Sequence, residues 1–128
     1  MMIKTCLPWK IRAAQLDLAR QMETVDFIRR FADFAAQSHF NTLVLYLEGR
    51  VRTRGFPYMP REQTYSLEDM ARVVEHARSV GLECIFATAT LAHSELFFSC
   101  KELAHLAEER DGRTRFGATR LETFCPSL

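Results

Sequence analysis

Two polar residues, Arg12 and His93, stand beside apolar runs of the sequence where a side chain could bind a ligand or assist a proton transfer. Arg12 lies near the first such run, and His93 follows the apolar run 82–88. A guanidinium donates several hydrogen bonds to ligand oxygens, and an imidazole changes its charge near neutral pH. Each has a structural alternative: an arginine beside a strand is commonly a surface or ion-pair residue, and a lone histidine commonly has a structural role.

Other polar side chains near these runs are weaker candidates for the site. Glu48 directly follows the second apolar run, and we keep it as a candidate catalytic acid. We expect Asp17 and Arg20 to pair with each other at short range. Asn41 is expected to close a junction between a helix and a strand, and Glu95 to be an exposed acid in the first turn of a helix.

Three apolar runs predict the strands that position these residues. They are a first strand within 10–17, a second over 42–47 and a third over 82–88. The second run is continuously apolar, as in a strand covered on both faces. Because each of the last two strands follows an amphipathic segment, the order is β-α-β-α-β, which predicts a parallel sheet with ligand chemistry at the carboxyl ends of its strands.

Local signals predict two helices between these strands. Thr24 is the expected cap of the first helix, and Ser66-Leu67-Glu68-Asp69 fits a capping box for the second, which Gly81 should end. The first apolar stripe is Val25, Ile28, Phe31 and Ala35, widened by Phe27 and Phe34; the second is Leu67, Met70, Val74 and Ala77. A third, weaker helix is predicted on Leu96, Cys100, Leu103 and Ala107, followed by a turn over 110–113 and a short strand over 121–124.

A long segment from Glu48 to Tyr65 separates the second strand from its helix. It carries arginines among aromatic residues: Arg50, Arg52, Arg54 and Arg61 with Phe56, Tyr58 and Tyr65. Such a mixture suits sugar hydroxyls and ring faces, or a nucleic-acid strand. The alternative is a solvated loop whose arginines pair with acids elsewhere.

Length and composition indicate one ordinary globular domain. The chain has 128 residues, of which 48% are apolar and 26% charged. A net charge of +1 gives no electrostatic case for nucleic acid or an anionic membrane. The four cysteines, Cys6, Cys84, Cys100 and Cys125, lack metal-type spacing, and we expect a reducing, cytoplasmic compartment. Neither a signal peptide nor a membrane span is predicted.

These residues, in this order, resemble the start of the glycoside hydrolase family 20 catalytic domain, the β-N-acetylhexosaminidases. The resemblance covers essentially the whole chain and rests on Arg12-(x)4-Asp17-(x)2-Arg20, Ile28-Arg29-Arg30, Asp33, Phe40-Asn41-Thr42-Leu43, Tyr65-Ser66-(x)2-Asp69, Ala77, Gly81 and Ala92-His93-Ser94. It implies a (β/α)8 TIM barrel, of which residues 1–128 would form the N-terminal portion, about three to four βα units in one partial domain.

The resemblance also implies a chemistry. In that family the residue matching Arg12 binds substrate hydroxyls, and the one matching His93 belongs to a polar relay that supports the acid/base carboxylate. The mechanism is substrate-assisted and retaining: the 2-acetamido oxygen attacks the anomeric carbon while a carboxylic acid protonates the leaving oxygen. Neither a metal nor an organic cofactor is implied, and the partner is a glycan or amino-sugar substrate.

The sequence departs from the family at several positions. Ala13 stands where the family has a glycine. Glu48 stands one residue before the position of a family acid, and a shift of one residue can turn a side chain away from the place where that acid would act. No Asp-Glu dipeptide occurs, and the Glu68-Asp69 pair is explained by helix capping. We therefore expect a divergent branch truncated before its general acid and inactive alone.

Two alternatives to a hydrolase fragment remain open at this point. One is a non-catalytic carbohydrate-binding or interaction module that uses the arginine-rich loop, and the other is an inactive truncated product. A missing proton donor separates them from a hydrolase, because it lowers the hydrolysis rate by about 10²–10⁴-fold while binding can survive. Open strand edges also predict self-association of the isolated chain. Neither nucleic acid nor a membrane is expected as a partner.

Overall fold

The computed structural model describes residues 9–88, 95–110 and 113–116. Their elements are, in chain order, β1 (Ala13–Asp17), α1 (Val25–Gln37), β2 (Thr42–Tyr46), a 3-10 turn (Arg61–Gln63), α2 (Leu67–Ser79), β3 (Glu83–Ala87), α3 (Glu95–Phe98), a second 3-10 segment (Lys101–Leu106), β4 (Ala107–Arg110) and β5 (Arg113–Phe116). None of the described helices is long and apolar enough to cross a membrane.

The first three strands form a parallel sheet in the order β1-β2-β3. Leu16 pairs with Leu45 and Leu45 with Phe86, and one residue later Asp17 pairs with Tyr46 and Tyr46 with Ala87. The predicted α/β class and strand order are therefore confirmed. The described part of the chain contains three parallel strands, so the larger barrel remains a prediction.

The core lies between this sheet and both long helices. Leu43 and Leu45 of β2 are fully buried, and they share one cluster with Ile28 of α1 and Val73 of α2. Asp33 Oδ1 of α1 also lies 2.7 Å from His76 Nε2 of α2. Both helices therefore cover the same face of the sheet, as in a barrel, where the helices form an outer ring.

The helix boundaries follow the predicted capping signals. Thr24 Oγ1 accepts a hydrogen bond from the Phe27 amide at 3.1 Å. Ser66 and Asp69 form the complete capping box, in which the side chain of each accepts the backbone amide of the other. Gly81 has φ +86°, so α2 ends in a left-handed residue that glycine adopts without steric cost.

Two predicted helix faces are wrong in detail. Leu67 is 62% exposed, and Val73 rather than Val74 joins the buried stripe of α2 with Met70 and Ala77. Both valines satisfy a helical interval from Met70, so periodicity alone does not choose between them. In α1, Phe34 is 61% exposed because it follows Ile28 by six residues, which places it about 120° around the helix.

The predicted third helix is also wrong in its extent. Only Glu95–Phe98 is α-helical, and the 3-10 segment Lys101–Leu106 follows. Ala107 begins β4, which pairs antiparallel with β5 so that Arg110 stands opposite Arg113, and the centre of the turn predicted over 110–113 lies outside the described residues. Apolar residues three or four apart fit short 3-10 segments as well as one continuous helix. The strand predicted over 121–124 lies outside the described residues.

The edges of the parallel sheet bear on the predicted self-association. β1 and β3 are its edge strands within the described residues, and on β3 Ile85 is 44% and Phe86 49% exposed. Exposed apolar side chains on an edge strand favour pairing with another chain. Self-association of the isolated chain stays a prediction that these exposures support.

The burial difference along α2 can be tested by two matched substitutions. Met70→Ala should lower the free energy of unfolding by about 2–5 kcal/mol, because it empties a buried position in the core. Leu67→Ala should change it by less than about 0.5 kcal/mol, because that side chain is largely exposed. Urea unfolding followed by circular dichroism measures both, and equal losses would contradict the placement of the core.

Candidate functional site at the carboxyl edge of the sheet

A polar group lies where β1 and β2 end. Asp17 and Tyr46 are paired neighbours in the last row of the sheet. Because Leu45 and Leu47 are buried in the core, the alternation of a strand places Tyr46 on the face opposite the helices. The Tyr46 hydroxyl donates a hydrogen bond to Glu48 Oε1 at 3.0 Å. The carboxyl edge therefore carries a phenol and a carboxylate in direct contact.

The backbone at Glu48 has an unusual conformation. Its φ is +46°, in the left-handed region, and within the described residues the other non-glycine residue there is His39 with φ +64°. A side chain in this region costs about 1–2 kcal/mol, because Cβ approaches the following carbonyl. The left-handed turn comes directly after the strand and accompanies the contact of the Glu48 carboxylate with the Tyr46 hydroxyl, two residues back.

The surroundings of Tyr46 raise the pKa of its phenol. Partial burial is the largest cause, followed by the hydrogen bond to Glu48 and the negative charge of that carboxylate. The negative charge of Asp17 raises the pKa of Tyr46 by a smaller amount, and the positive charge of Arg20 lowers it. Tyr46 is thus held as a neutral hydrogen-bond donor to Glu48.

The Asp17 carboxylate pairs with Arg20 at short range, as predicted, and also with Ala19. Its Oδ1 accepts hydrogen bonds from the backbone amides of Ala19 at 2.9 Å and Arg20 at 3.1 Å. No ion pair joins the Asp17 and Arg20 side chains in the described part of the chain. The predicted pairing is therefore confirmed at the Arg20 backbone amide, and the carboxylate closes the turn after β1, an interaction typical of aspartate.

Arg12 lies at the other end of the sheet, immediately before β1. Its Nε donates to the His39 carbonyl at 2.7 Å, and one terminal nitrogen donates to the Trp9 carbonyl at 2.8 Å. The Arg12 amide also donates to Asn41 Oδ1 at 2.8 Å, which confirms Asn41 as the junction between α1 and β2. The described structure thus places Arg12 and Glu48 at opposite edges, and a substrate contact by Arg12 stays a prediction.

The remaining sequence candidates are divided between described and undescribed parts. His93 lies outside the described residues, so its predicted relay role stays a prediction. Glu95 is exposed in the first turn of α3, as expected. In the Glu68-Asp69 pair, Asp69 belongs to the capping box and also contacts Arg72, which confirms capping as its role.

The long loop after β2 is held by two of its own arginines. Arg50 donates to the carbonyls of Ala19, at 3.0 Å from its nearer nitrogen, and of Gln63, at 3.3 Å. Arg52 donates to the carbonyls of Pro57 and Met59. Both arginines therefore bind backbone oxygens rather than the carboxylates that the structural alternative predicts. Arg50 also joins the loop to the turn that follows β1.

An aromatic cleft, which we define by Phe56, Phe86 and Phe97, opens beside Glu48 at the carboxyl ends of β2 and β3. Its volume is about 260 Å³, and its other lining residues are Leu47, Glu48, Val51, Thr53, Ala87 and Thr88. The rings of Phe56 and Phe97 meet edge to face with centroids 5.1 Å apart. No pattern in the sequence indicates this cleft, because Phe56 and Phe97 are far apart in the chain.

No group of three or more histidine, cysteine, aspartate or glutamate side chains within the described ranges could hold a metal ion. Among the described residues, the polar groups of the carboxyl edge include the Tyr46 phenol, the Asp17 and Glu48 carboxylates and the Arg20 guanidinium. Such groups can bind sugar hydroxyls by hydrogen bonds or position a proton-transferring carboxyl group.

Comparisons of the fold place it beside one class of enzymes. A β-N-acetylhexosaminidase from Bacteroides fragilis superposes with a TM-score of 0.76 at 21% identity, covering 91% of this chain and 27% of that one. A Streptomyces plicatus β-hexosaminidase superposes with a TM-score of 0.77 at 18% identity, covering 92% of this chain and 28% of that one. A Flavobacterium johnsoniae chitobiase superposes with a TM-score of 0.77 at 14% identity, covering 91% of this chain and 20% of that one. The described fold is shared with family 20 glycoside hydrolases.

These matches confirm the predicted resemblance at the level of the fold. The chain spans about a fifth to a third of the length of the solved structures that it matches. No protein-family model and no curated protein matches the sequence.

Two glycines of the long loop provide a test of the aromatic cleft. A Cβ on Gly49 would lie 2.9 Å from Phe56 Cε1, and the Phe56 ring is itself held between Tyr58 and Phe97. Gly49→Ala should therefore lower the free energy of unfolding by about 1–3 kcal/mol. A Cβ on Gly55 would meet nothing within 4 Å, so Gly55→Ala should leave stability unchanged or raise it by about 0.4–1 kcal/mol. Thermal unfolding of the two variants compares them, and similar behaviour would contradict the packing of Phe56.

The contact between Tyr46 and Glu48 predicts a measurable titration. Glu48→Gln should lower the pKa of the Tyr46 phenol, because it removes both an accepting carboxylate and a negative charge. The tyrosine ring signals followed by NMR against pH report this change, and Glu75→Gln, on the exposed surface of α2, is the matched control. An unchanged Tyr46 pKa in Glu48→Gln would contradict the contact.

The raised pKa of the Tyr46 phenol also makes the stability of the folded chain depend on pH. The contribution of the phenol to the free energy of unfolding is complete below about pH 10 and is lost as the pH rises through the pKa of the folded state.

Proposed function

We propose that this chain supplies the front part of a glycoside hydrolase that removes terminal N-acetylhexosamine from glycans in the complete protein. The observation that carries the proposal is the contact of Tyr46 with Glu48 at the carboxyl edge of a parallel sheet whose fold is shared with β-N-acetylhexosaminidases. In parallel α/β folds this edge is where ligands bind. The S. plicatus enzyme is described in complex with GlcNAc as product.

In this proposal the carboxyl edge holds the sugar by hydrogen bonds. The Glu48 carboxylate accepts from a sugar hydroxyl with the oxygen that Tyr46 leaves free. Tyr46 positions that carboxylate, and Glu48 with His93 orients the acid that acts on the glycosidic bond. Arg12 can join the site only by releasing the carbonyls of His39 and Trp9, which makes its role as a binder of hydroxyls the most demanding part of the proposal.

The proposed reaction is substrate-assisted and retaining. The acetamido oxygen of the sugar attacks its anomeric carbon while a carboxylic acid gives its proton to the leaving oxygen, and water then opens the cyclic intermediate. The sequence has no Asp-Glu dipeptide, and Asp69 of the Glu68-Asp69 pair is used for capping. We place the proton donor outside these 128 residues, and the proposal needs neither a metal nor an organic cofactor.

A second candidate function is carbohydrate binding without hydrolysis. The aromatic cleft favours it, because phenyl rings bind the C–H face of a sugar without any need for a proton donor. The two functions differ in turnover rather than in the ligand that they recognise.

Ligand titration and an activity assay of the same chain test this function. GlcNAc should shift the amide NMR signals of Tyr46 and Glu48, and glucose, which lacks the acetamido group, should shift them less. Glu48→Gln should weaken the GlcNAc response about tenfold while the control Glu75→Gln does not, because a hydrogen bond to a charged group contributes about 1.5–3 kcal/mol. Hydrolysis of 4-nitrophenyl β-N-acetylglucosaminide should stay at background.

Each outcome of this pair of measurements decides a part of the proposal. Absence of any GlcNAc response would overturn the hexosaminidase proposal for this site. Rapid hydrolysis by the 128-residue chain would contradict an external proton donor. GlcNAc binding with an assay at background supports the proposal as stated.

A further inference from the structure

The aromatic cleft has a charge pattern that neither the proposed hydrolysis nor simple carbohydrate binding requires. Its walls are the rings of Phe56, Phe86 and Phe97, and Glu48 is the only ionisable residue among the described residues that line it. None of the four loop arginines lines it; Arg50 and Arg52 donate instead to backbone carbonyls. The described lining of the cleft is therefore mainly apolar and carries one negative charge.

The charge of Glu48 has no cationic partner within the described residues. The side chain accepts a hydrogen bond from the neutral Tyr46 hydroxyl, and no ion pair there includes it. Asp17 is a second carboxylate near Tyr46, and the Arg20 guanidinium also acts on that phenol. A carboxylate beside aromatic rings without a fixed counter-ion is suited to a ligand that brings its own positive charge.

The size of the cleft limits the ligand to about one ring. At about 260 Å³ it is just smaller than the range of about 300–1,000 Å³ typical of sites for drug-sized molecules. The hydroxyls of Thr53 and Thr88 are the neutral polar groups in its lining. The ligand that fits is a single ring. Its C–H face would contact the aromatic walls, its hydroxyls would bind Thr53 and Thr88, and a cationic substituent would lie beside the Glu48 carboxylate.

We propose that the aromatic cleft binds a hexosamine ring with a free ammonium group, its C–H face against Phe56 and Phe97 and its ammonium beside the Glu48 carboxylate. This inference rests on the proposed function for the sugar and makes it narrower. The substrate would then contain a de-N-acetylated hexosamine next to the terminal N-acetylhexosamine. Because a carboxylate attracts a cation more strongly than the face of a phenyl ring does, Glu48 supplies most of the preference for charge.

Three ligands of the same ring size test this proposal on the intact chain. Glucosamine, glucose and N-acetylglucosamine are titrated at about pH 6, where an amine of ordinary pKa is protonated. We expect glucosamine to shift the amide signals of Thr53, Phe56 and Phe97, with a dissociation constant at least about tenfold below that of glucose. Glu48→Gln should remove this preference, whereas Glu75→Gln should keep it.

A second variant separates the rings from the charge. Phe97→Leu, which keeps an apolar side chain at the position, should weaken the binding of every ligand that shifts the cleft signals. It should leave the ratio of the dissociation constants for glucosamine and glucose unchanged.

Equal binding of glucosamine and glucose, or a preference that survives Glu48→Gln, overturns the ammonium site. If GlcNAc shifts Tyr46 and Glu48 but glucosamine shows no preference, this inference fails and the proposed function stands. If glucosamine binds through Glu48 and GlcNAc gives no response, the proposed function fails and the cleft remains an amine site.

Discussion

The pairing register of β2 is the constraint on which the rest of the structure depends. Leu43 and Leu45 are fully buried on the face of the sheet that α1 and α2 cover, and Tyr46 points to the other face. Because side chains alternate along a strand, a shift of one residue would expose the leucines and bury the phenol. The same register sets Tyr46 beside Asp17 and brings Glu48 to the carboxyl edge. Hydrophobic burial thus fixes the position of the polar group.

Local signals predicted much of the fold. Thr24, Ser66 and Gly81 mark helix boundaries through interactions within a few residues of themselves, so the sequence displays them directly. The parallel order also followed from the alternation of helical and apolar runs. The angular position of Phe34 relative to Ile28 can be read from the sequence, but which of the flanking positions of α1 and α2 the sheet covers cannot, so the exposure of Phe34 and Leu67 was not predicted.

The candidate site was less predictable than the fold. Glu48 was identified from its place after a strand, but its left-handed backbone and its contact with Tyr46 arise from the course of the loop. The cleft joins Phe56 to Phe97 across 41 positions, a separation that periodicity cannot report. For Arg12 the sequence motif suggested a ligand contact, but it could not indicate which groups the guanidinium binds in the fold. The guanidinium donates to the carbonyls of His39 and Trp9.

The hydrogen bonds of Arg50 have a consequence for how this loop can change during evolution. By binding the carbonyls of Ala19 and Gln63, Arg50 fixes the base of the loop to the turn after β1, while Thr53, Arg54 and Gly55 remain exposed at its tip. Exposed loop tips accept insertions and sequence drift most readily. New residues could therefore accumulate at the tip, and diversify what the loop recognises, without displacing Glu48 at its base.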